Sequence, residues 1–280
     1  MDSSYQPPEW RRTSVRLRVS HDDGVSQWDP DSYRQVNTLQ QLVAERALAD
    51  LVLEGDERVL DVGCGDGKVT AMIAARLTTG TVVGVDPSAK MIDAARQLLP
   101  DTSRSRFMVG TAAALTFHPS FDVVTSFNAL HWEIRWLEAL QRIRSALRPN
   151  GRALLVFVCD GERPSLEDVV MHACRSSRWK AAFNDFAAPF VHVDPDAYAA
   201  AAGSVGFAVD RLVVDNLEWD FGTRAAFADW CTAGLVAWTG RLAPDDRADF
   251  VDDVISAYAE VSGSDTRFRF LQCRIRLTAT

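Results

Sequence analysis

Residues Val59-Leu-Asp-Val-Gly-Cys-Gly-Asp-Gly67 decide how the rest of this chain is read. A strand-forming run, Arg58 to Val62, passes through three alternate glycines into Val69 to Leu77, where apolar residues return at helical spacing. Glycines at such a turn let the backbone bend sharply and approach a ligand with no Cβ in the way. A dinucleotide site wants Gly-x-Gly-x-x-Gly, with the pyrophosphate over the helix N-terminus. Here Gly63, Gly65 and Gly67 are spaced Gly-x-Gly-x-Gly and follow Asp61. An acid at the strand end suits a cationic amino-acid group better than a phosphate, so the spacing argues against NAD.

Downstream, the strand Thr81 to Val85 runs into Asp86, about 20 residues past the turn, where an acid accepts hydrogen bonds from both ribose hydroxyls. The structural alternative is an N-cap for the helix that begins near Ser88, but Pro87 and Ser88 already supply a helix start. Asp86 therefore points to a nucleoside ligand.

The alternation continues through a helix at Ala89 to Leu99, strands at Arg106 to Val109 and Phe121 to Ser126, a helix at Glu133 to Leu147 and a strand at Arg152 to Val158. Leu147-Arg-Pro-Asn-Gly151 reads as a helix stop and turn. Strands alternating with helices predict an α/β fold with a mainly parallel sheet covered on both faces. Upstream, Val36, Leu39, Leu42, Val43, Ala47, Leu48 and Leu51 mark one face of a helix from Asp31 to about Leu53.

After Cys159, helices are expected at Ser165 to Phe186, Pro195 to Ala202, Arg224 to Leu242 and Pro244 to Ser262, with strands at Phe207 to Leu217 and Arg267 to Leu277. The organisation is a flexible lead over 1–27 and a single domain over 28–280, with helical cap segments at about 163–190 and 223–263. Trp219, Phe221, Phe227, Trp230 and Trp238 in the late part either cover the ligand-binding edge of the sheet or fill a core.

Hydrophobic residues make up 47% and charged ones 24%, a globular composition. The net charge of -8, spread along the chain, disfavours nucleic acid as a partner. Five widely spaced cysteines form no Cys-x-x-Cys pair and offer no zinc spacing. No signal-peptide core or stretch of 18 apolar residues occurs, so a cytoplasmic protein with free thiols, no metal and no membrane span is expected.

Asp61 to Gly67, Asp86, Ser126-Phe-Asn-Ala-Leu-His-Trp132 and Leu147 to Gly151 resemble, in order and on the right elements, the motif series of class I S-adenosylmethionine-dependent methyltransferases. The resemblance covers about residues 31–158. Trp28-Asp-Pro-Asp-Ser-Tyr33, Asn37-Thr-Leu-Gln40, Lys68-Val-Thr70 and Leu130-His-Trp132 are further similar to the branch of juvenile hormone acid and trans-aconitate methyltransferases. That resemblance implies a Rossmann-like, seven-stranded, mostly parallel sheet with helical cap insertions, and S-adenosyl-L-methionine as cofactor. It places Gly63 and Gly65 under the methionine part, Asp86 on the ribose, and Asn128 near the methionyl group. Asp61, Cys64, Pro87, Thr111 and Ala112 line the same cofactor site, and Tyr33 and Gln40 close over it. Many relatives carry Ala-Asp where this chain has Gly110-Thr-Ala112, so the usual acidic contact to the adenine amine is missing, with Thr111 or a backbone group as substitute.

The branch methylates carboxylates, and the Gln40 amide and Trp132 indole N–H are neutral donors suited to orienting one. A carboxylate is ionised at neutral pH and needs no base. His131 is the candidate base for a hydroxyl, amine or carbon acid instead. The expected reaction is methyl ester formation on a small-molecule acid with a hydrophobic body. The alternatives are a C- or N-methyltransferase of secondary metabolism, a non-catalytic nucleotide-binding protein and an NAD-dependent oxidoreductase, the last disfavoured by the lack of a Tyr-x-x-x-Lys pair. The oligomeric state is left open between monomer and homodimer.

Overall fold

In a computed structural model of the 280-residue chain, residues 14–16 and 43–280 are described. Tyr33, Gln40 and most of the expected lead lie outside them. Beginning at the glycine turn, β2 (Arg58–Val62) leads through it into α2 (Lys68–Ala74), then β3 (Thr81–Asp86), α3 (Ala89–Leu98), β4 (Ser105–Val109), β5 (Phe121–Phe127), α4 (Trp136–Ala146) and β6 (Leu147–Val158). The later half adds α5 (Leu166–Cys174), α6 (Pro195–Ser204), β7 (Phe207–Asp220), α7 (Arg224–Gly234), α8 (Val236–Thr239), α9 (Asp246–Ser262) and β8 (Arg267–Ala279). Upstream lie a strand β1 (Ser14–Arg16) and a helix α1 described over 43–48.

The strands order as β1-β7-β8-β6-β5-β2-β3-β4, and β8 alone runs antiparallel to its neighbours. The seven expected strands are all present; β1 is an eighth, pairing Val15 with Leu217 on the outer edge of β7. An open strand edge presents unpaired N–H and C=O groups that such a segment satisfies. The chain steps from β2 outward to β4, then returns to β5 on the other side, so the order reverses between β2 and β5. Ligands of open α/β sheets bind at that reversal, outside the carboxyl ends of the strands.

Alternate residues of each strand serve opposite faces. On β6, Leu154, Val156 and Val158 join one core with α1, α5, α7 and α9, whereas Leu155 and Phe157 join the other with α4 and α6. Trp219, Phe227 and Trp238 are fully buried in the first core. Those three, with Phe221, are therefore core residues, whereas Trp230 is only partly buried against that core.

Three expected elements differ. The helix expected over Ser165 to Phe186 ends at Cys174. Beyond it the bonds shorten to three-residue turns, as Ser176 N–H to the Ala173 carbonyl and Trp179 N–H to that of Ser176. Tertiary contacts take over there: the Trp179 indole N–H donates to Asp253 on α9 at 2.9 Å, and Phe183 packs on Phe250. The expected helix over Arg224 to Leu242 breaks between Gly234 and Val236, where Leu235 leaves helical geometry. Leu147 to Gly151 does stop α4, but it pairs with Phe121 as the start of β6 across a bulge, with Asn150 in the left-handed region at φ 62°.

Candidate active site

A cavity of about 630 Å³ lies along the carboxyl ends of β2 to β5. Its floor is the glycine turn. The Gly63 and Cys64 N–H groups both donate to the Val85 carbonyl, at 2.7 and 3.1 Å, which pins the turn to β3. The Gly65 N–H donates to one Asp86 carboxylate oxygen at 3.0 Å, and the Ser88 N–H to the other at 2.9 Å. Gly110 N–H then donates to the Asp86 carbonyl at 3.0 Å, bringing the loop after β4 alongside. The remaining lone pairs of the Asp86 carboxylate are free for a hydroxyl-bearing ligand.

Gly63, Gly65 and Gly67 all have positive φ (74°, 53° and 80°). Two of them serve different ends. A Cβ on Gly63 would lie 2.1 Å from the Ala129 Cβ, so that glycine exists for packing; a Cβ on Gly65 would meet nothing within 4 Å and would enter the cavity.

Asp61 is fully buried, and its two oxygens accept the Thr70 hydroxyl at 2.6 Å and the Thr125 hydroxyl at 2.9 Å. It thereby ties β2 to α2 and β5 beneath the cavity. Burial outweighs those bonds and pushes its pKa up to about 6. The Cys64 thiol packs with Ile92, Ala95 and Phe107, and burial with neighbouring acids raises its pKa well above the usual thiol range, leaving it inert.

On the far wall stand Pro87, Thr111, Ala112 and Glu133. The Thr111 hydroxyl is buried with no hydrogen-bond partner. Asn128 sits at φ 52°, its N–H donating to Val156 and its side-chain oxygen accepting from the buried Gln272 amide at 2.7 Å.

Asn128, Trp132 and Gly234 also line a second cavity of about 110 Å³, so the two spaces share a border. The second cavity is walled by Leu166, Leu235, Phe268 and Phe270, and includes His131, Glu167 and Trp230. Its polar groups are few. The Trp230 indole N–H is shielded and unpartnered. The buried Glu167 carboxyl has its pKa raised to about 7 by desolvation. Burial, with His192 nearby, lowers that of His131 to about 3. The Val158 N–H approaches His131 Nδ1 at 3.4 Å, so the ring is a neutral imidazole with its proton assigned to Nε2. Trp132 is 41% exposed and meets Trp238 edge to face.

The chain matches the family described as "Methyltransferase domain" over residues 59–151. It is 30% identical over 237 residues to a trans-aconitate 2-methyltransferase of Methylobacterium radiotolerans, covering 81% of this chain and 87% of that one. The chain belongs to the class I S-adenosylmethionine-dependent methyltransferases. The fold of the methyltransferase is also that of the YcgJ protein of Bacillus subtilis, with TM-score 0.58, 19% identity, and coverage of 88% of this chain and 98% of that one. It likewise matches a Haemonchus contortus phosphoethanolamine N-methyltransferase 2 in complex with S-adenosyl-L-methionine, with TM-score 0.58, 17% identity, and coverage of 89% and 56%.

The larger cavity of the methyltransferase fits its cofactor on its own evidence: Gly65 leaves the floor open, Asp86 has lone pairs to spare, and the Thr111 hydroxyl lacks a partner. Among the described residues no helix is long and apolar enough to cross a membrane, and no group of acids, histidines and cysteines is arranged to hold a metal. Sequence reasoning missed Glu133 and Glu167 and read Trp230 only as a late aromatic. Glu167 carried a signal, since with Val170, Met171 and Cys174 it occupies the buried i, i+3, i+4, i+7 stripe of α5.

Proposed function

We propose that this methyltransferase forms methyl esters on a small carboxylic acid with an apolar body. The observation that carries the reading is the second cavity, apolar and aromatic, which opens beside the cofactor cavity at Asn128 and Trp132 and has the Trp230 ring in its wall. No Lys or Arg lines it among the described residues, which favours one carboxylate on a hydrophobic body over a polyanion. The trans-aconitate 2-methyltransferase relatives support an acid as acceptor.

The cofactor supplies a sulfonium-activated methyl group. An ionised carboxylate would accept that methyl group with its own lone pair, so the protein has no proton to remove. The protein's part is alignment and exclusion of water. Trp132, with Gln40 from the undescribed segment, orients the carboxylate through neutral donors. A His131 ring held neutral, with its pKa near 3, is a weak proton acceptor, which agrees with chemistry that needs none. The five cysteines, all free and buried, support a reducing, cytoplasmic setting.

Glu167 favours one second reading, N-methylation of an amine held by that carboxyl. A screen of aryl and alkyl carboxylic acids and matched amines, with methyl-labelled cofactor and mass detection, separates the two. Products labile to mild alkali are expected; alkali-stable methylamines would replace the ester reading.

A further inference from the structure

We propose that Glu133 is the acid that recognises the adenine amine in this chain, reaching the base from the segment after β5 instead of from the loop after β4. This rests on the larger cavity being the cofactor site. The loop after β4, Gly110-Thr111-Ala112, contains no acid. The Glu133 side chain lines the same cavity as those three residues and is only 14% exposed.

Its position is fixed from two sides. Oε2 accepts the Ala113 N–H at 3.2 Å, which ties the carboxylate to the 3₁₀ turn Ala112–Ala114 immediately after the loop. Oε1 accepts the Arg135 N–H at 3.2 Å. The Arg135 guanidinium stands 3.8 Å away, is 55% exposed and does not line this cavity. Each carboxylate oxygen carries two acceptor sites, and one backbone bond apiece leaves room for a further N–H.

The chemistry separates Glu133 from its rival, the unpartnered Thr111 hydroxyl. A hydroxyl donates or accepts by rotating, so it fits an amine and a carbonyl alike. A carboxylate only accepts, so it favours the 6-amino group of adenine and repels the 6-carbonyl of hypoxanthine.

Isothermal titration calorimetry of the full-length protein with S-adenosylhomocysteine and with S-inosylhomocysteine, which differ at that position, tests the assignment. Wild type is expected to prefer the amino form by roughly tenfold or more, the scale of a hydrogen bond to a charged group. In Glu133→Gln the amide turns its NH₂ to the carbonyl, and the ratio should fall to within about threefold. Thr111→Ala should keep the wild-type ratio. If Glu133 only tethers Ala113, Glu133→Ala weakens both ligands by one factor and the ratio persists; that result, or a ratio lost in Thr111→Ala and kept in Glu133→Gln, overturns the proposal. Failure of wild type to bind either ligand would instead overturn the cofactor site and the assignment with it.

Discussion

Asp86 and Gly65 are joined by a 3.0 Å hydrogen bond from the Gly65 N–H to one carboxylate oxygen, while the other oxygen holds Ser88. One side chain thus both shapes the glycine turn and holds Ser88, the N-cap of α3. In Asp86→Ala two backbone donors lose their partners, at a cost of about 1–3 kcal/mol if water does not replace them. Affinity for S-adenosylhomocysteine should fall at least about tenfold, since the proposed ribose contact goes as well. Calorimetry and thermal melts check both; unchanged affinity would remove Asp86 from the cofactor site.

Gly63 and Gly65 should fail in different ways when changed to alanine. Gly63→Ala brings two methyl groups to 2.1 Å and should cost more than about 2 kcal/mol of stability, from overpacking added to strain at positive φ. Gly65→Ala meets no neighbour, so it should cost only about 1 kcal/mol while its methyl group occupies cofactor space and weakens binding. Urea melts paired with calorimetry distinguish them, and equal stability losses would contradict the packing.

Trp132 stands where the two cavities meet. Trp132→Phe keeps a ring but deletes the indole N–H. It should leave cofactor affinity within about threefold and lower kcat/KM for the acid by roughly tenfold, as for the loss of one hydrogen bond to a charged group. Steady-state kinetics with the acid identified by the screen give the answer, and an unaltered kcat/KM would exclude Trp132 from the acceptor site.

Glu167 makes stability depend on pH in a defined direction. Its folded pKa is raised to about 7, above the ordinary 4.5, so between those values the folded chain keeps a proton that the unfolded chain has lost. The stability this carboxyl contributes in acid is therefore lost as pH rises through about 7, by up to roughly 3 kcal/mol. Glu167→Gln removes that dependence. Relative to wild type, the variant should gain stability between pH 5 and pH 8 in urea melts. A constant difference would mean that Glu167 is not desolvated.

Much of this molecule was readable in one dimension. The strand Arg58–Val62 and the helix start at Ala89 lie where the residue pattern puts them, because glycine conformation and the two periodicities are local properties. The Asp61 threonine clamp was not readable, since Thr70 and Thr125 come from α2 and β5. The end of α5 at Cys174 depends on α9, about 75 residues downstream, through Trp179 and Asp253.

The residue order alone carries the glycine turn, the acid that ends β3 and the α/β alternation, and their resemblance to the methyltransferase motifs carries the cofactor. Steric limits on φ and the spacing of apolar residues act over a few positions, so such features are written locally. Three-dimensional packing settles which polar groups line the two cavities and which are buried as struts. Glu133 meets Ala113 across 20 residues, and Glu167 shares its cavity with Trp230 and Phe268. Those encounters follow from how the helices pack onto the sheet, a sum of many weak, non-directional burial terms that no short segment encodes.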